Sequence, residues 1–185
     1  GDRSTNILFG DGAAATVISR CNIDSVIDIK IASNGQKFDT FYIPAGGSRL
    51  PKNETTSINS ADQSGNIKSL ENIHMNGFAV WQFIAKNVSK QISDLLDKNN
   101  LGVEDIDLFL FHQASKLTLD SLVKMLKIDQ EKTFTNLEDI GNTVSASIPI
   151  ALKDAEDAGK LKRGDLILIS GFGVGLSWGS IIMKY

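Results

Sequence analysis

The stretch "DIDLFLFHQAS", residues 105–115, places a histidine directly after an apolar run. Nearly every residue from 106 to 111 is apolar, which is typical of a short strand that is buried on both faces of a sheet. His112 follows at the point where this strand would end. Because open α/β sheets bind ligands beyond the carboxyl ends of their strands, His112 is a candidate functional residue.

The rest of the chain alternates between helix-like and strand-like segments. Apolar residues recur at helical spacing in three segments: 76–96, 116–127 and 143–158. Strands are predicted at 5–9, 14–19, 25–33, 133–136, 165–170 and 178–185. The turn Gly10-Asp11-Gly12 would join the first two strands into a hairpin. Pro149 weakens the prediction of the last helix, because an interior proline disrupts helical hydrogen bonding. This alternation predicts an α/β layered fold.

A long connection separates the first strands from the first helix. Residues 34–70 are rich in Gly, Asn, Ser and Thr and contain Pro44 and Pro51. We interpret this stretch as irregular, with one short strand near residues 41–43.

The composition restricts the classes of function. The chain has 185 residues, 42% of them hydrophobic, and a formal net charge of -3. Its lysines are scattered, so we expect neither nucleic acid nor a membrane surface as a partner. No apolar stretch approaches the ~20 residues that span a bilayer. The single cysteine, Cys21, cannot form an internal disulfide. Because neither a disulfide nor a membrane-spanning stretch is predicted, we expect a cytoplasmic protein.

Two further segments suggest what His112 could do. Asn142 lies in "IGNTVSAS", residues 140–147, and a glycine-dense turn is predicted in "SGFGVGLSWG", residues 170–179. A neutral imidazole and a side-chain amide can both donate hydrogen bonds to one carbonyl oxygen and stabilise the enolate that forms there. The exposed N–H groups of a glycine turn could likewise bind a developing oxyanion.

Structural roles remain open for each of these residues. His112 could be a structural histidine whose hydrogen bonds are satisfied at the strand end, and Asn142 could cap a helix. The glycine turn could be a connection between two strands and nothing more. The spacing of Gly171, Gly173 and Gly175 does not match a dinucleotide-binding fingerprint, and we predict no cofactor. Cys21 follows a predicted strand with no helix N-terminus after it, so it is a poor candidate nucleophile.

Five motifs in order resemble those of β-ketoacyl-acyl carrier protein synthase III, a condensing enzyme of the thiolase superfamily. They are "LFGDGAAA", "MNGFAVWQF", "DIDLFLFHQAS", "DIGNTVSASIP" and "GDLILISGFGVGLSWGS". The resemblance implies a thiolase-like layered fold of two similar halves, usually dimeric. Residues 1–35 would be the end of the N-terminal half, and residues 71–185 would form the C-terminal half. Residues 36–70 would be an irregular connection between the two halves. It also implies a Cys-His-Asn catalytic set whose cysteine lies in an N-terminal half that this chain lacks, so we expect a portion of a longer enzyme.

The resemblance assigns roles residue by residue. His112 and Asn142 fall on the catalytic His and Asn, and the N–H of Val174 falls in the oxyanion hole. The implied reaction is a decarboxylative condensation of an acyl-coenzyme A starter, as substrate and not cofactor, with malonyl-acyl carrier protein. Arg3 would contact the coenzyme A adenine. The remaining implied substrate-binding residues are Gly77, Phe78, Trp81, Ala114, Ser115, Phe172 and Gly173.

Three positions depart from the pattern of the resembled family. Ser115 stands where an asparagine is common in the family. The missing amide leaves undecided which extender unit the enzyme would prefer. Val174 replaces a frequent glycine and restricts the backbone while keeping its N–H. Phe78 replaces a usually polar residue and would narrow the tunnel that holds the pantetheine arm in the resembled family. Lys116 and Lys124 could meet an acidic carrier protein or simply form a solvated helix face.

Two alternatives to the condensing enzyme remain at this point. One is a synthase III-like acyltransferase of secondary metabolism, which would esterify or amidate a product without extending a chain. The other is a non-catalytic partner or carrier-binding module, against which the retained His112 and Asn142 argue. We expect the chain alone to be inactive in acyl transfer.

Overall fold

The computed structural model describes residues 2, 5–20, 22, 24–62 and 65–185. The strands are β1 (Val26–Ser33), β2 (Phe41–Tyr42), β3 (Ser60–Ala61), β4 (Ile67–Lys68), β5 (His74–Met75), β6 (Leu108–Phe111), β7 (Leu166–Gly173) and β8 (Ser177–Lys184). The α-helices are α1 (Gly77–Phe83), α2 (Ser89–Lys98), α3 (Lys116–Leu126), α4 (Leu137–Ile140) and α5 (Ser147–Asp157). A π-helical segment, Ile84–Val88, joins α1 to α2.

A four-stranded mixed sheet forms the centre of the molecule. Its order is β1-β8-β7-β6, and only the β6–β7 pair is parallel. Two-stranded ribbons, β2 with β5 and β3 with β4, lie in the long connection after β1. The connection is therefore mostly irregular, as its composition predicts.

Helices cover both faces of the sheet. Alternate residues of β6 enter different clusters: Phe109 and Phe111 pack with α2 and α3, whereas Leu108 and Leu110 pack with α5. This is the period of two that a strand imposes on its side chains. All four residues of β6 are buried, which explains why the sequence of this strand is apolar without interruption.

Most of the elements predicted after residue 25 are confirmed. The strand at 25–33, the strand before His112 and the last two strands are present, and the helix over 116–127 spans Lys116–Leu126. The predicted helix over 76–96 is present with the π-helical segment inside it. The last helix begins at Ser147, so Pro149 lies in its first turn, where a missing N–H leaves no bond unmade.

The hairpin predicted at 5–19 is wrong. Phe9 forms only an isolated bridge with Asn142, and residues 10–20 adopt no regular structure. Val17 is 92% exposed and Ile18 is 91% exposed. Because an isolated two-stranded hairpin is marginal without an apolar face to cover, the alternating pattern alone does not form one here.

The strand predicted at 133–136 is also wrong, since only Thr133 forms a bridge, with Phe109. The fully buried side chain of Gln113 replaces a strand partner for this segment. Its Oε1 accepts hydrogen bonds from Thr135 Oγ1 at 2.8 Å and from Asn136 N at 3.3 Å. Its Nε2 donates to the carbonyl of Phe111 at 2.8 Å, which ties the segment to the end of β6.

Within the described part of the chain, no helix is both long enough and apolar enough to cross a membrane.

Candidate functional site

His112 is held at the carboxyl end of β6 by three contacts. Its backbone N–H donates to the carbonyl of Ser170 on β7 at 2.9 Å. Its Nδ1 lies 2.7 Å from Ser147 Oγ, at the start of α5. Its ring meets the ring of Phe172 edge-on, with 5.5 Å between the centroids. The imidazole therefore has one orientation, fixed by two strands and a helix.

Burial controls the charge of His112. Desolvation lowers the pKa of His112 to about 4, although a backbone hydrogen bond with Val144 acts in the opposite direction. The ring is therefore neutral at pH 7 and has a single N–H to donate.

Asn142 is buried and its amide is oriented by two hydrogen bonds. Its Oδ1 accepts from the N–H of Val144 at 2.9 Å, and its Nδ2 donates to the carbonyl of Ala114 at 3.2 Å. Its backbone bonds with the segment around Phe9: its N–H donates to the carbonyl of Leu8, and its carbonyl accepts from the N–H of Gly10. Since an amide nitrogen carries two hydrogens, one remains for a ligand.

The backbone of Val144 is unusual. Its φ of 54° lies in the left-handed region, which β-branched residues rarely occupy. Such a conformation costs on the order of 1–3 kcal/mol and is often found at functional sites.

His112 and Asn142 line one cavity of about 400 Å³. Three of the other predicted site residues line the same cavity, namely Phe172, Gly173 and Val174. None of the described residues that line it is an acid or a lysine or arginine. The cavity therefore offers neutral N–H donors among apolar walls, an arrangement that can stabilise negative charge developing on a carbonyl oxygen.

The glycine-dense stretch is mostly strand and not turn, which corrects the sequence prediction. Gly171 pairs with Gly179, and Gly173 pairs with Ser177, so β7 continues through both glycines. Glycines suit this position because the backbone of β7 forms part of the cavity wall. The turn consists of only residues 174–176, and Val174 is its first residue.

A second group of predicted residues lies apart from this cavity. Trp81 lines a neighbouring cavity of about 610 Å³, beside α1 and the π-helical segment. Phe78 is exposed and stacks on Trp81 with 6.1 Å between the ring centroids. Gly77 is the first residue of α1. The rings of Phe83 and Trp178, one from each cavity, meet edge-on at 5.2 Å, so the two cavities adjoin.

The remaining predicted residues have structural contacts of their own. Ala114 supplies the carbonyl that holds the Asn142 amide. Ser115 caps α3, and its Oγ accepts from the N–H of Thr118 at 3.3 Å. Arg3 and Cys21 lie outside the described residues.

Two buried residues that support the site were not predicted from the sequence. Ser147 contacts the His112 ring directly, and Gln113 fixes the segment that leads from β6 toward Asn142. The position of Gln113 next to His112 could have suggested its role. For Ser147 no local signal exists, because its contact depends on how α5 lies against the sheet.

The described residues contain no group of three or more His, Cys, Asp or Glu side chains that could hold a metal ion.

Comparison with known families matches both ends of the chain. Residues 96–185 match the family described as 3-oxoacyl-[acyl-carrier-protein] synthase III C terminal, and residues 1–35 match the family described as 3-oxoacyl-[acyl-carrier-protein] synthase III. A relative from Clostridium perfringens, named β-ketoacyl-[acyl-carrier-protein] synthase III, is 41% identical over 184 residues, which is 99% of this chain and 54% of that protein. The chain thus spans about half the length of the relatives it matches.

Solved structures give the same result. A crystal structure of a 3-oxoacyl-(acyl-carrier-protein) synthase III matches all of this chain and 55% of its own, with a TM-score of 0.93 and 33% identity. The priming β-ketosynthase of the R1128 polyketide pathway matches 99% of this chain and 52% of its own, with a TM-score of 0.79 and 27% identity. These matches confirm the predicted α/β thiolase-like fold of a C-terminal half.

Proposed function

Because the chain belongs to the 3-oxoacyl-[acyl-carrier-protein] synthase III family, we propose that it forms the His–Asn half of a decarboxylative condensing enzyme. The nucleophilic cysteine would lie in an amino-terminal half, in keeping with relatives about twice as long as this chain. One observation carries the proposal: two neutral, oriented N–H donors, His112 and Asn142, line a cavity whose described lining residues include no acid, lysine or arginine.

In the proposed reaction the cysteine thiolate first attacks an acyl-coenzyme A thioester. The N–H of Val174 would stabilise the oxyanion, and coenzyme A would leave as the thiolate. Malonyl-acyl carrier protein would then bind with its thioester oxygen accepting hydrogen bonds from His112 and Asn142. Carbon dioxide leaves, and the electrons of the broken C–C bond pass to that oxygen as an enolate. The enolate carbon attacks the acyl-cysteine carbonyl, and the cysteine thiolate is released.

The neutral charge state of His112 supports this role. A cationic imidazole would bind the malonyl carboxylate and oppose its loss, whereas a neutral N–H stabilises the enolate only as charge develops. The low pKa of His112, caused by burial, keeps the ring neutral through the physiological range.

Substrate binding would extend into the second cavity. Trp81 lies in its wall and the exposed Phe78 stacks on Trp81, which supports a path for a narrow pantetheine arm. The other residues that we propose for substrate binding are Arg3, Gly77, Ala114, Ser115, Phe172 and Gly173. The acyl-coenzyme A and the malonyl-acyl carrier protein would be the substrates that this path receives.

We further propose a cytoplasmic homodimer, with residues 1–35 and 71–185 belonging to the two halves of each subunit. Exposed apolar side chains on β1 support a surface that a second subunit would cover: Ile27 is 42% exposed and Ile29 is 52% exposed. Light scattering of the enzyme with both halves present would give the mass of a dimer, and a monomer would contradict this part.

The test measures carbon dioxide release from malonyl-acyl carrier protein by the enzyme with both halves present. His112→Ala and Asn142→Ala should each lower the rate by about 10²–10³-fold, since each removes one oxyanion donor. Ser57→Ala is the control. It removes an exposed hydroxyl that does not line the cavity, and it should leave the rate unchanged. A normal rate in His112→Ala would contradict the assigned role.

The same assay separates the two alternatives. An acyltransferase that only esterifies or amidates its product would form acyl-cysteine and release no carbon dioxide, and the departures at Phe78 and Ser115 leave room for it. A non-catalytic carrier-binding module would neither acquire an acyl group nor release carbon dioxide.

A further inference from the structure

The hydroxyl of Ser147 is a buried polar group with no part in the reaction described above. Ser147 is the first residue of α5 and is 0% exposed. Its Oγ lies 2.7 Å from Nδ1 of His112 and 3.4 Å from the backbone nitrogen of Gln113. A serine in a helix often bonds back to its own preceding turn, but this hydroxyl bonds across to another element.

The hydrogens at this junction can be assigned by their chemistry. The N–H of Gln113 can only donate, so Oγ of Ser147 accepts from it. The hydroxyl has one hydrogen of its own, and Nδ1 of a neutral imidazole can accept it. In the opposite arrangement Oγ would accept from both Gln113 N–H and His112 Nδ1–H, and the hydrogen of this buried hydroxyl would have no acceptor among the contacts that the structure describes for it. A consistent chain therefore runs from Gln113 N–H to Ser147 O–H to His112 Nδ1.

We propose that Ser147 is a positioning residue that holds His112 in the tautomer with its hydrogen on Nε2. The catalytic meaning of this tautomer rests on the proposed function, because Nε2–H is the group that would donate to the thioester oxygen. With the other tautomer, the lone pair of Nε2 would face that oxygen and repel it. A ring in the wrong tautomer can lose orders of magnitude in rate even when its position is intact.

The rigidity of α5 supports a fixed hydroxyl position. Ala151 and Ala155 of this helix are fully buried and pack against Leu108 and Leu110 of β6, the strand that ends at His112. The donor and the ring are thus carried by two elements packed on each other, so the 2.7 Å contact needs no rearrangement when substrate binds.

The tautomer can be read by ¹⁵N NMR on the enzyme with both halves present, labelled in histidine, at pH 7. The His112 signals are assigned by their absence in His112→Asn. We expect the wild type to show a protonated Nε2 and an unprotonated Nδ1, and Ser147→Ala to show a mixture of both tautomers. A wild type with its hydrogen on Nδ1 would overturn the proposal.

Kinetics give the second readout. Ser147→Ala should lower kcat for carbon dioxide release about 10–100-fold, the usual effect of losing a group that orients a functional histidine, with KM unchanged. Ser147→Thr keeps the hydroxyl and should recover most of the loss. An unchanged kcat and tautomer in Ser147→Ala would refute the proposal.

Ser180→Ala is the matched control. Ser180 is also a buried serine, and its Oγ bonds to Gln91 and Ser170 without contacting the ring. This variant should keep both the tautomer and the rate. If the wild type releases no carbon dioxide, the proposed function fails, but the NMR comparison still decides whether Ser147 sets the tautomer.

Discussion

His112 and Asn142 line the same cavity but are supported in different ways. His112 ends a strand whose four residues are all buried, and a helix packed on that strand holds its ring. Asn142 lies in an irregular segment, where single hydrogen bonds to Leu8, Gly10 and Ala114 fix it. The comparison shows that one donor depends on the core of the protein and the other on local loop geometry, so perturbations of similar size should affect them differently.

The largest effect on stability should come from truncating a buried side chain of β6, the strand that supports His112. Phe109 of β6 is 0% exposed, and Phe109→Ala should lower the free energy of unfolding by about 3–5 kcal/mol. Urea denaturation of the purified protein measures the change. Phe38→Ala, at an exposed phenylalanine in the connection after β1, should cost less than about 1 kcal/mol. Equal losses in both variants would mean that β6 is not the rigid support described here.

An intermediate effect is expected from pH, through the burial of the His112 ring. The pKa of His112 is about 4 in the folded protein, below its ordinary value of 6.5. Between these values the unfolded chain binds a proton that the folded chain does not. The contribution of His112 to the free energy of unfolding is therefore fully present above pH 6.5. It falls by up to about 3 kcal/mol as the pH drops toward 4. Denaturation curves across this range should show the loss, and His112→Gln should lack this part of it. The same pH slope in the variant would contradict the burial of the ring.

The smallest effect concerns the loop that holds Asn142. Val144 has a φ of 54°, where glycine is favoured over every side chain with a Cβ. Val144→Gly should therefore be more stable than Val144→Ala by about 1 kcal/mol, the reverse of the order at an ordinary helix position. Thermal unfolding of the two variants gives the sign. If Val144→Ala is the more stable, the left-handed conformation is not adopted in solution.

Much of the fold could be predicted because its elements carry their own patterns. The uninterrupted apolar run of β6 and the helical spacing in α3 each specify an element that is buried within this chain. The alternation at residues 14–19 is equally strand-like, but Val17 and Ile18 remain more than nine-tenths exposed against the described part of the chain. A pattern shows that a segment can form a strand, whereas a partner decides whether it does so.

The candidate site could be predicted only for residues whose side chains have a recognisable catalytic chemistry. His112 and Asn142 stand out in the sequence, and the structure brings them to one cavity. The roles of Ser147 and Val144 depend on a contact 35 residues away and on a backbone N–H that donates to Asn142, and neither leaves a trace in the local sequence. Trp81 and Phe78 were grouped with His112, yet Trp81 lies in the wall of the adjoining cavity and Phe78 stacks on Trp81; the two cavities meet at the Phe83–Trp178 pair.

The π-helical segment Ile84–Val88 also bears on how the chain length of this protein can vary. A π turn contains about one residue more than an α turn, so it stores one extra residue between α1 and α2. Removing a residue there would leave a regular helix with both flanks in their present register, and Trp81 would still face its cavity. A deletion inside α2 would instead rotate one flank by about 100° and turn Ile92 or Leu95 out of the core. Homologous sequences one residue shorter in this helix should therefore have their gap between residues 84 and 88.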